Sequence, residues 1–298
     1  MTATHQKEEL SLADRIAGFR REGYTVFKNV LSQAQSDVFR QKLLAHFEDR
    51  VRNNQKSPSL GEGQDVLSDY YIFYPEMIDQ IYTPEVVQFL TSILGEQFVL
   101  MPGSSVIKGL YTPLHKDTQT PAMRGFDFVN KPDFFMVQLA LYMQDNFNRD
   151  GGLRVYPKSH LKPDKTLRVR KAREAFNKSP FKKRLSKMMG KGLSRLFFNY
   201  DLPKPTGEMD IPSEAGDLII FDFRLFHCAS IPEGGKGNSF NTDKLGLFNA
   251  LCGNNLYAPM YLEYLRSRAD EPAYRFMTDL RDPAEADRRA RALGFTAL

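Results

Sequence analysis

Apolar positions along the chain follow two rhythms. Over Leu12–Glu22 they recur at helical spacing, with Leu12, Ile16 and Phe19 on one face, Ser11 placed to cap the start and Gly23 to end it. The next residues, TVFKNVL, read as a strand, and helical spacing returns over Gln33–Val51 and Pro84–Leu94. Between those two helices the polar stretch Asn53–Gln64, rich in Ser, Gly and Asn, predicts a loop. From Phe98 onward, short segments rich in β-branched and aromatic residues predict strands. They cover Phe98–Met101, Ser105–Tyr111, Phe134–Met143, Leu153–Tyr156 (after a Gly151–Gly152 turn), Asp217–Phe223 and Lys244–Leu251. Helices first and many short strands afterwards predict a mainly β (α+β) fold, a sandwich or barrel with flanking helices. Two segments break the strand rhythm. Residues 162–200 read as a helical insertion, and the charged stretch after Asp270 reads as a terminal helix on the outside.

A chain of 298 residues with 42% hydrophobic residues can bury one core of useful size, and domains of this build often run to such a length undivided. The net charge of +5 is uneven: Lys162–Arg195 alone carries +11, which leaves −6 elsewhere. So local a feature argues against a general nucleic-acid binder and for one positive patch. The opening residues lack the basic and apolar segments of a secretion signal, and no apolar run of about 18 residues could span a bilayer. With two cysteines, Cys228 and Cys252, the expectation is a cytoplasmic protein with free thiols.

Five histidines narrow the search for chemistry. His5 lies in a polar terminus, His46 sits in the second helix, and His160 ends a turn-like PKSH. His115 and His227 remain. In an extended segment His115 and Asp117 point to the same face, and His227 follows about a hundred residues later in the apolar run GDLIIFDFRLFHCAS. Either feature alone reads more readily as a surface pair or a core histidine. Together they form the 2-His-1-carboxylate pattern, which occupies one face of an octahedral iron and leaves three positions open.

Three runs, VIKGLYTPLHKD, LALYMQDNFNRDGGLRVYPKSH and AGDLIIFDFRLFHCAS, in that order, together with the early REGYTVFKNVLS, resemble the phytanoyl-CoA dioxygenase family over about Gly18–Leu251. The resemblance implies a double-stranded β-helix (jelly-roll, cupin-like) core. It also implies Fe(II), 2-oxoglutarate and O2 as reaction partners in hydroxylation of a substrate, with His115, Asp117 and His227 as iron ligands and His160 as a structural turn residue. Related halogenases carry a small residue in place of the carboxylate, so Asp117 favours hydroxylation or another oxidation over halogenation. The family commonly holds the far carboxylate of 2-oxoglutarate with an Arg at the start of the strand after the second His. The matching position here is Lys244, with Gly246 leaving room beside it. Lys is a departure, since it offers a point charge without a fork. Arg224 is the alternative, although three residues before His227 it would face the other way in a regular strand. A hydroxyl residue often stands two after the second His. Here that place is Ala229, and Ser230 comes one later. Gln138, inside FFMVQLALYM, is a further candidate contact.

This reading makes residues 1–298 a single oxygenase domain: a helical part at about 10–95, a jelly-roll core at about 96–256 carrying the basic insertion at about 162–200, and a helical tail at about 257–298. The insertion reads as a lid meeting an anionic small-molecule substrate, as a segment on an anionic membrane surface, or as a solvated outer helix. Two other function classes stay open: a non-catalytic cupin-like binding protein, and a metal enzyme that does not use 2-oxoglutarate.

Overall fold

The computed structural model describes residues 10–55, 60–146, 151–164, 205–230, 243–269 and 283–298, and the separate positions 166, 167, 169, 171, 179, 184 and 271. Helix α1 spans Leu12–Glu22. Ser11 Oγ accepts the Asp14 N–H at 3.1 Å, and Gly23, at φ +88°, sends its own N–H back to Phe19 O. That left-handed cap suits a residue without Cβ. Helix α2 (Gln33–Arg52) opens on a capping box between Ser32 and Gln35. Helices α3 (Tyr70–Phe73), α4 (Glu76–Ile81) and α5 (Pro84–Leu94) complete the N-terminal set. The three long helices stand where their spacing predicts. The two short ones, like strand β2 (Asp65–Ser68), are too brief to show a period.

The larger sheet runs β1 (Tyr24–Phe27), β8 (Leu218–Asp222), β5 (Met136–Tyr142), β10 (Leu245–Cys252). On the far edge of β10 lie β3 (Val99–Leu100) and β4 (Ser105–Lys108), and β4 pairs in turn with β2. The smaller sheet is β7 (Met209–Asp210), β6 (Leu153–Val155), β9 (His227–Ala229). The larger sheet has no solvent face in its centre. Val137, Leu139, Leu141, Leu218, Ile220, Leu245 and Leu247 pack under the helices. The alternate residues Ala140, Tyr142, Ile219 and Phe221 pack toward Leu153 and Val155 of the smaller sheet. Burial on both faces explains why these strands read as unbroken apolar runs. The result is a helix layer, a large sheet and a small facing sheet, the expected mainly β core with flanking helices.

Two expectations need correction. The predicted strand Asp217–Phe223 stands as β8, but the apolar run that holds it does not continue to His227 as one strand: a tight corner leads from β8 to β9 in the other sheet. Asp222 makes the corner: its carbonyl accepts the Leu225 N–H at 2.8 Å and its carboxylate accepts the Arg224 N–H at 2.7 Å. The C-terminal tail ends in the expected helix with a charged face exposed, but the other face of that helix and the residues after it are packed in. Helix α7 (Ala284–Ala292) buries Ala286 and Ala290, and β11 (Thr296–Ala297) adds a parallel strand beside β3. Phe295, 1% exposed, stacks on Phe98 at 4.7 Å between ring centroids. Most of the basic insertion lies outside the described residues. Cys228 and Cys252 are both free thiols. Among the described residues, no helix is long and apolar enough to cross a membrane.

Candidate metal centre

Residues 112–117 run extended beside β9 and join it through a single antiparallel β-bridge. His115 and His227 exchange both backbone N–H···O bonds at 3.0 Å, Ala229 N–H donates to Thr112 O at 3.0 Å, and Asp117 N–H donates to Phe223 O at 3.1 Å. The pleat then turns His115 and Asp117 to one face and Lys116 to the other. The imidazoles of His115 and His227 lie 4.2 Å apart between centroids. Asp117 Oδ1 is 3.4 Å from His115 Nε2 and 3.8 Å from His227 Nε2. One donor atom from each residue falls within 4.8 Å of the others, a set able to hold a metal ion.

Both rings are oriented by the backbone. Nδ1 of His115 lies 2.7 Å from Pro113 O, and Nδ1 of His227 lies 3.0 Å from Leu225 O. A carbonyl only accepts, so each Nδ1 carries the proton and each neutral ring aims its Nε2 lone pair at the shared centre. Burial, and then the neighbouring His115, push His227 down to about 4, so it is neutral at pH 7. Burial alone would raise the Asp117 carboxyl, but His227 and His115 outweigh it and hold it below its ordinary value. Asp117 Oδ2 is buried without a hydrogen-bond partner among the described residues. Two lone pairs and a carboxylate with one orphaned oxygen, brought this close together, are reconciled by a divalent cation, so the side chains present fit one.

A cavity of about 330 Å³ opens from this centre between the two sheets. Phe221, Gln138 and Ala250 stand abreast on its wall, one from each of β8, β5 and β10. Tyr142 and Phe248 lie further along the same strands. Lys244 enters the cavity as well, only 4% exposed, its Nζ donating to Leu110 O at 2.9 Å and lying 4.7 Å from the Tyr111 ring centroid. A Cβ on Gly151 would meet Lys244 Cδ at 2.6 Å, so the glycine makes room for that stem. Arg224 is elsewhere. It forks onto the Asp222 carboxylate at 2.9 and 2.6 Å and lines a separate hollow with Phe19 and Phe135.

The structure therefore brings together His115, Asp117, His227, Gln138 and Lys244, and leaves out two candidates. Ala229 faces the cavity, whereas Ser230, buried, is absent from its lining. His160 is a turn residue, its Nε2 3.1 Å from Arg20 O, and His46 pairs with the Tyr74 hydroxyl. His5 is outside the described residues. The sequence did not point to the wall contributed by helix α6 (Tyr257–Arg266) and the residues after it. Tyr261, Tyr264, Leu265 and Arg268 line the cavity at i, i+3, i+4 and i+7, a helical stripe that was visible in the sequence. Lys116 was missed too: it is 2% exposed, and burial lowers its ammonium to about 8.

Facing sheets of this topology, with such a pocket between them, make a jelly-roll fold with a metal-binding site in its mouth. The chain belongs to the phytanoyl-CoA dioxygenase family, whose profile matches residues 19–231. Among solved structures, the epimerase SnoN in complex with Fe3+, alpha ketoglutarate and nogalamycin RO is similar at 18% identity. That match covers 81% of this chain and 83% of SnoN, with a TM-score of 0.50. EctD from S. alaskensis with bound Fe is similar at 16% identity, over 81% of this chain and 76% of EctD, with a TM-score of 0.50. At such identities the likeness concerns the fold. A search of curated protein sequences returns no match. Family and fold together make the chain an iron- and 2-oxoglutarate-dependent enzyme.

Proposed function

We propose that this enzyme hydroxylates a small organic molecule, with His115, Asp117 and His227 as the iron ligands and Lys244 as the cation that receives the far carboxylate of 2-oxoglutarate. The observation that carries the reading is the convergence of two backbone-oriented Nε2 lone pairs and the Asp117 carboxylate on one point. Fe(II) held by His115, Asp117 and His227 would, together with 2-oxoglutarate and O2, supply the oxidising power, one oxygen atom going to the product and the other to succinate as CO2 is released.

The chain's own groups do the rest. Pro113 O and Leu225 O hold the two rings in the tautomer that ligates. Lys244 offers a positive charge beside the Tyr111 and Tyr142 rings, in a cavity that Tyr142 helps to line, where a carboxylate feels it more strongly than in water. Arg224, the alternative anchor, is already committed to Asp222. Gln138 presents an amide for orientation, and Phe221, Phe223 and Phe248 exclude water from the reacting atoms. Tyr261, Tyr264 and Arg268 form the part of the wall left for substrate. The cavity volume is in the range of small-molecule sites. A carboxylate at 117 favours hydroxylation over halogenation, because it fills the position a halide would need.

The test is the visible charge-transfer band of the chelated keto acid. Anaerobic protein is loaded with Fe(II) and 2-oxoglutarate is added to wild type and to His115→Ala. A band in wild type that vanishes in the variant supports the assignment. Folded, iron-loaded wild type that develops no band would overturn it.

A further inference from the structure

Lys116 stands between two residues of the metal set yet points away from them. Its Nζ donates to Ser159 O at 2.9 Å and to Lys162 O at 3.2 Å, and lies 4.6 Å from the Phe226 ring centroid. An ammonium at 2% exposure is a costly group to bury unless its donors are matched. A purely structural strand position would be met more simply by an apolar residue.

The same turn reaches the other metal strand. Ser159 Oγ accepts the Phe226 N–H at 2.8 Å, and Phe226 O accepts the Tyr156 N–H at 2.9 Å. Phe226 immediately precedes His227. Ser159 thus takes one bond from the residue between His115 and Asp117, through its carbonyl, and one from the residue before His227, through its hydroxyl. The turn itself is pinned. Lys158, at φ +65°, donates its N–H to Glu22 O at 3.0 Å, and His160 meets Arg20 O. A non-glycine residue holds that conformation only when its surroundings over-determine it.

We propose that Lys116 and Ser159 are positioning residues for the metal centre, one brace that sets the spacing between the His115–Asp117 strand and the His227 strand. The brace acts on the backbones behind the ligands, as the Pro113 and Leu225 carbonyls act on their rings. Lys162 O and the contact of Gln119 Nε2 with Asp164 Oδ2 at 2.8 Å tie the first residues of the basic segment to the same brace. The proposal rests on His115, Asp117 and His227 being the metal ligands.

The experiment titrates metal-free protein with Co(II), reading the dissociation constant and the ligand-field spectrum, and measures the Tm of the metal-free protein alongside. Wild type, His115→Ala, Lys116→Met, Ser159→Ala and the Lys116→Met/Ser159→Ala double variant are compared. Ser159→Ala removes a single oxygen and keeps the test alive should Lys116→Met fail to fold. Loss of an outer contact of this kind weakens metal binding roughly 10–100-fold. We expect at least a tenfold rise in the dissociation constant for each single variant, a shifted spectrum, and a combined loss smaller than the product of the two, since both act through one turn. A lowered Tm with Co(II) affinity within about twofold of wild type and an unchanged spectrum would overturn the brace and leave only a structural role. Failure of wild type to bind Co(II), or equal binding by His115→Ala, would instead sink the ligand assignment on which the brace depends.

Discussion

Replacing Lys244 with Met removes the ammonium and keeps most of the stem that packs against Gly151 and Tyr111. If Lys244 receives the far carboxylate of 2-oxoglutarate, the variant loses one charge-assisted hydrogen bond in a nearly closed site. Such a bond contributes about 1.5–3 kcal/mol. A carboxylate left without its partner in a buried site costs more, about 2–5 kcal/mol. Lys244 is 4% exposed, so the upper part of the first range applies. At about 1.4 kcal/mol per tenfold, the expected weakening is roughly 100-fold or more. The assay is calorimetric titration of 2-oxoglutarate into Mn(II)-loaded protein, with Mn(II) affinity measured separately to show that the metal site is intact. Arg224→Met serves as the control, because its guanidinium is held by Asp222 and faces a different hollow. Binding by Lys244→Met within about twofold of wild type, or a larger loss in Arg224→Met, would refute the assignment.

Other consequences follow from single contacts. Gly151→Ala places a Cβ 2.6 Å from Lys244 Cδ at a residue with φ +81°. We expect a loss of at least about 1 kcal/mol in urea unfolding together with weaker 2-oxoglutarate binding; a neutral variant would show that Lys244 does not need that space. His227 has its folded value pushed down from 6.5 to about 4. The unfolded chain therefore takes up a proton in that window that the folded metal-free protein refuses. Stability is highest above pH 6.5 and falls as the pH drops toward 4, by about 3 kcal/mol in all. Urea unfolding at a series of pH values checks this, and His227→Gln should flatten the slope. Phe295→Ala removes a ring 1% exposed that stacks on Phe98, and should cost about 3–5 kcal/mol. A Tm unchanged by that substitution would return the C-terminal residues to the outside.

What could be read from the sequence was what depends on near neighbours. Helix α1 declares itself through Ser11, Gly23 and the spacing of Leu12, Ile16 and Phe19, and all of those contacts lie within a few residues. The approach of His115 and Asp117 followed from strand parity alone. Parity also separates Ala229, on the cavity, from Ser230, off it, although family habit drew attention to the hydroxyl. The corner at Asp222 was hidden because both faces of β8 are buried, so apolar residues run straight into β9 without a polar break. Its one local cue was an aspartate two residues before an arginine. The place of Phe295 was not legible at all, since a hydrophobic residue in a charged tail acquires its meaning from Phe98 and Tyr82, some two hundred positions away.

The pairing of β1 with β8 joins Tyr24 to Phe221. During synthesis the first strand is made long before the strand that will hold it. At about 5–20 residues per second the ribosome needs on the order of 10–40 s to add the intervening chain. Over that interval Thr25 and Val26 offer an unpaired backbone edge, while α1 and α2, made of local contacts, are free to form at once. His115 and Asp117 likewise wait for His227, and the metal pocket can be assembled only after β9 has emerged. Nascent-chain folding of this protein is therefore end-loaded, and the stage most exposed to misassociation is the helical half standing alone with one edge of its future sheet unclaimed.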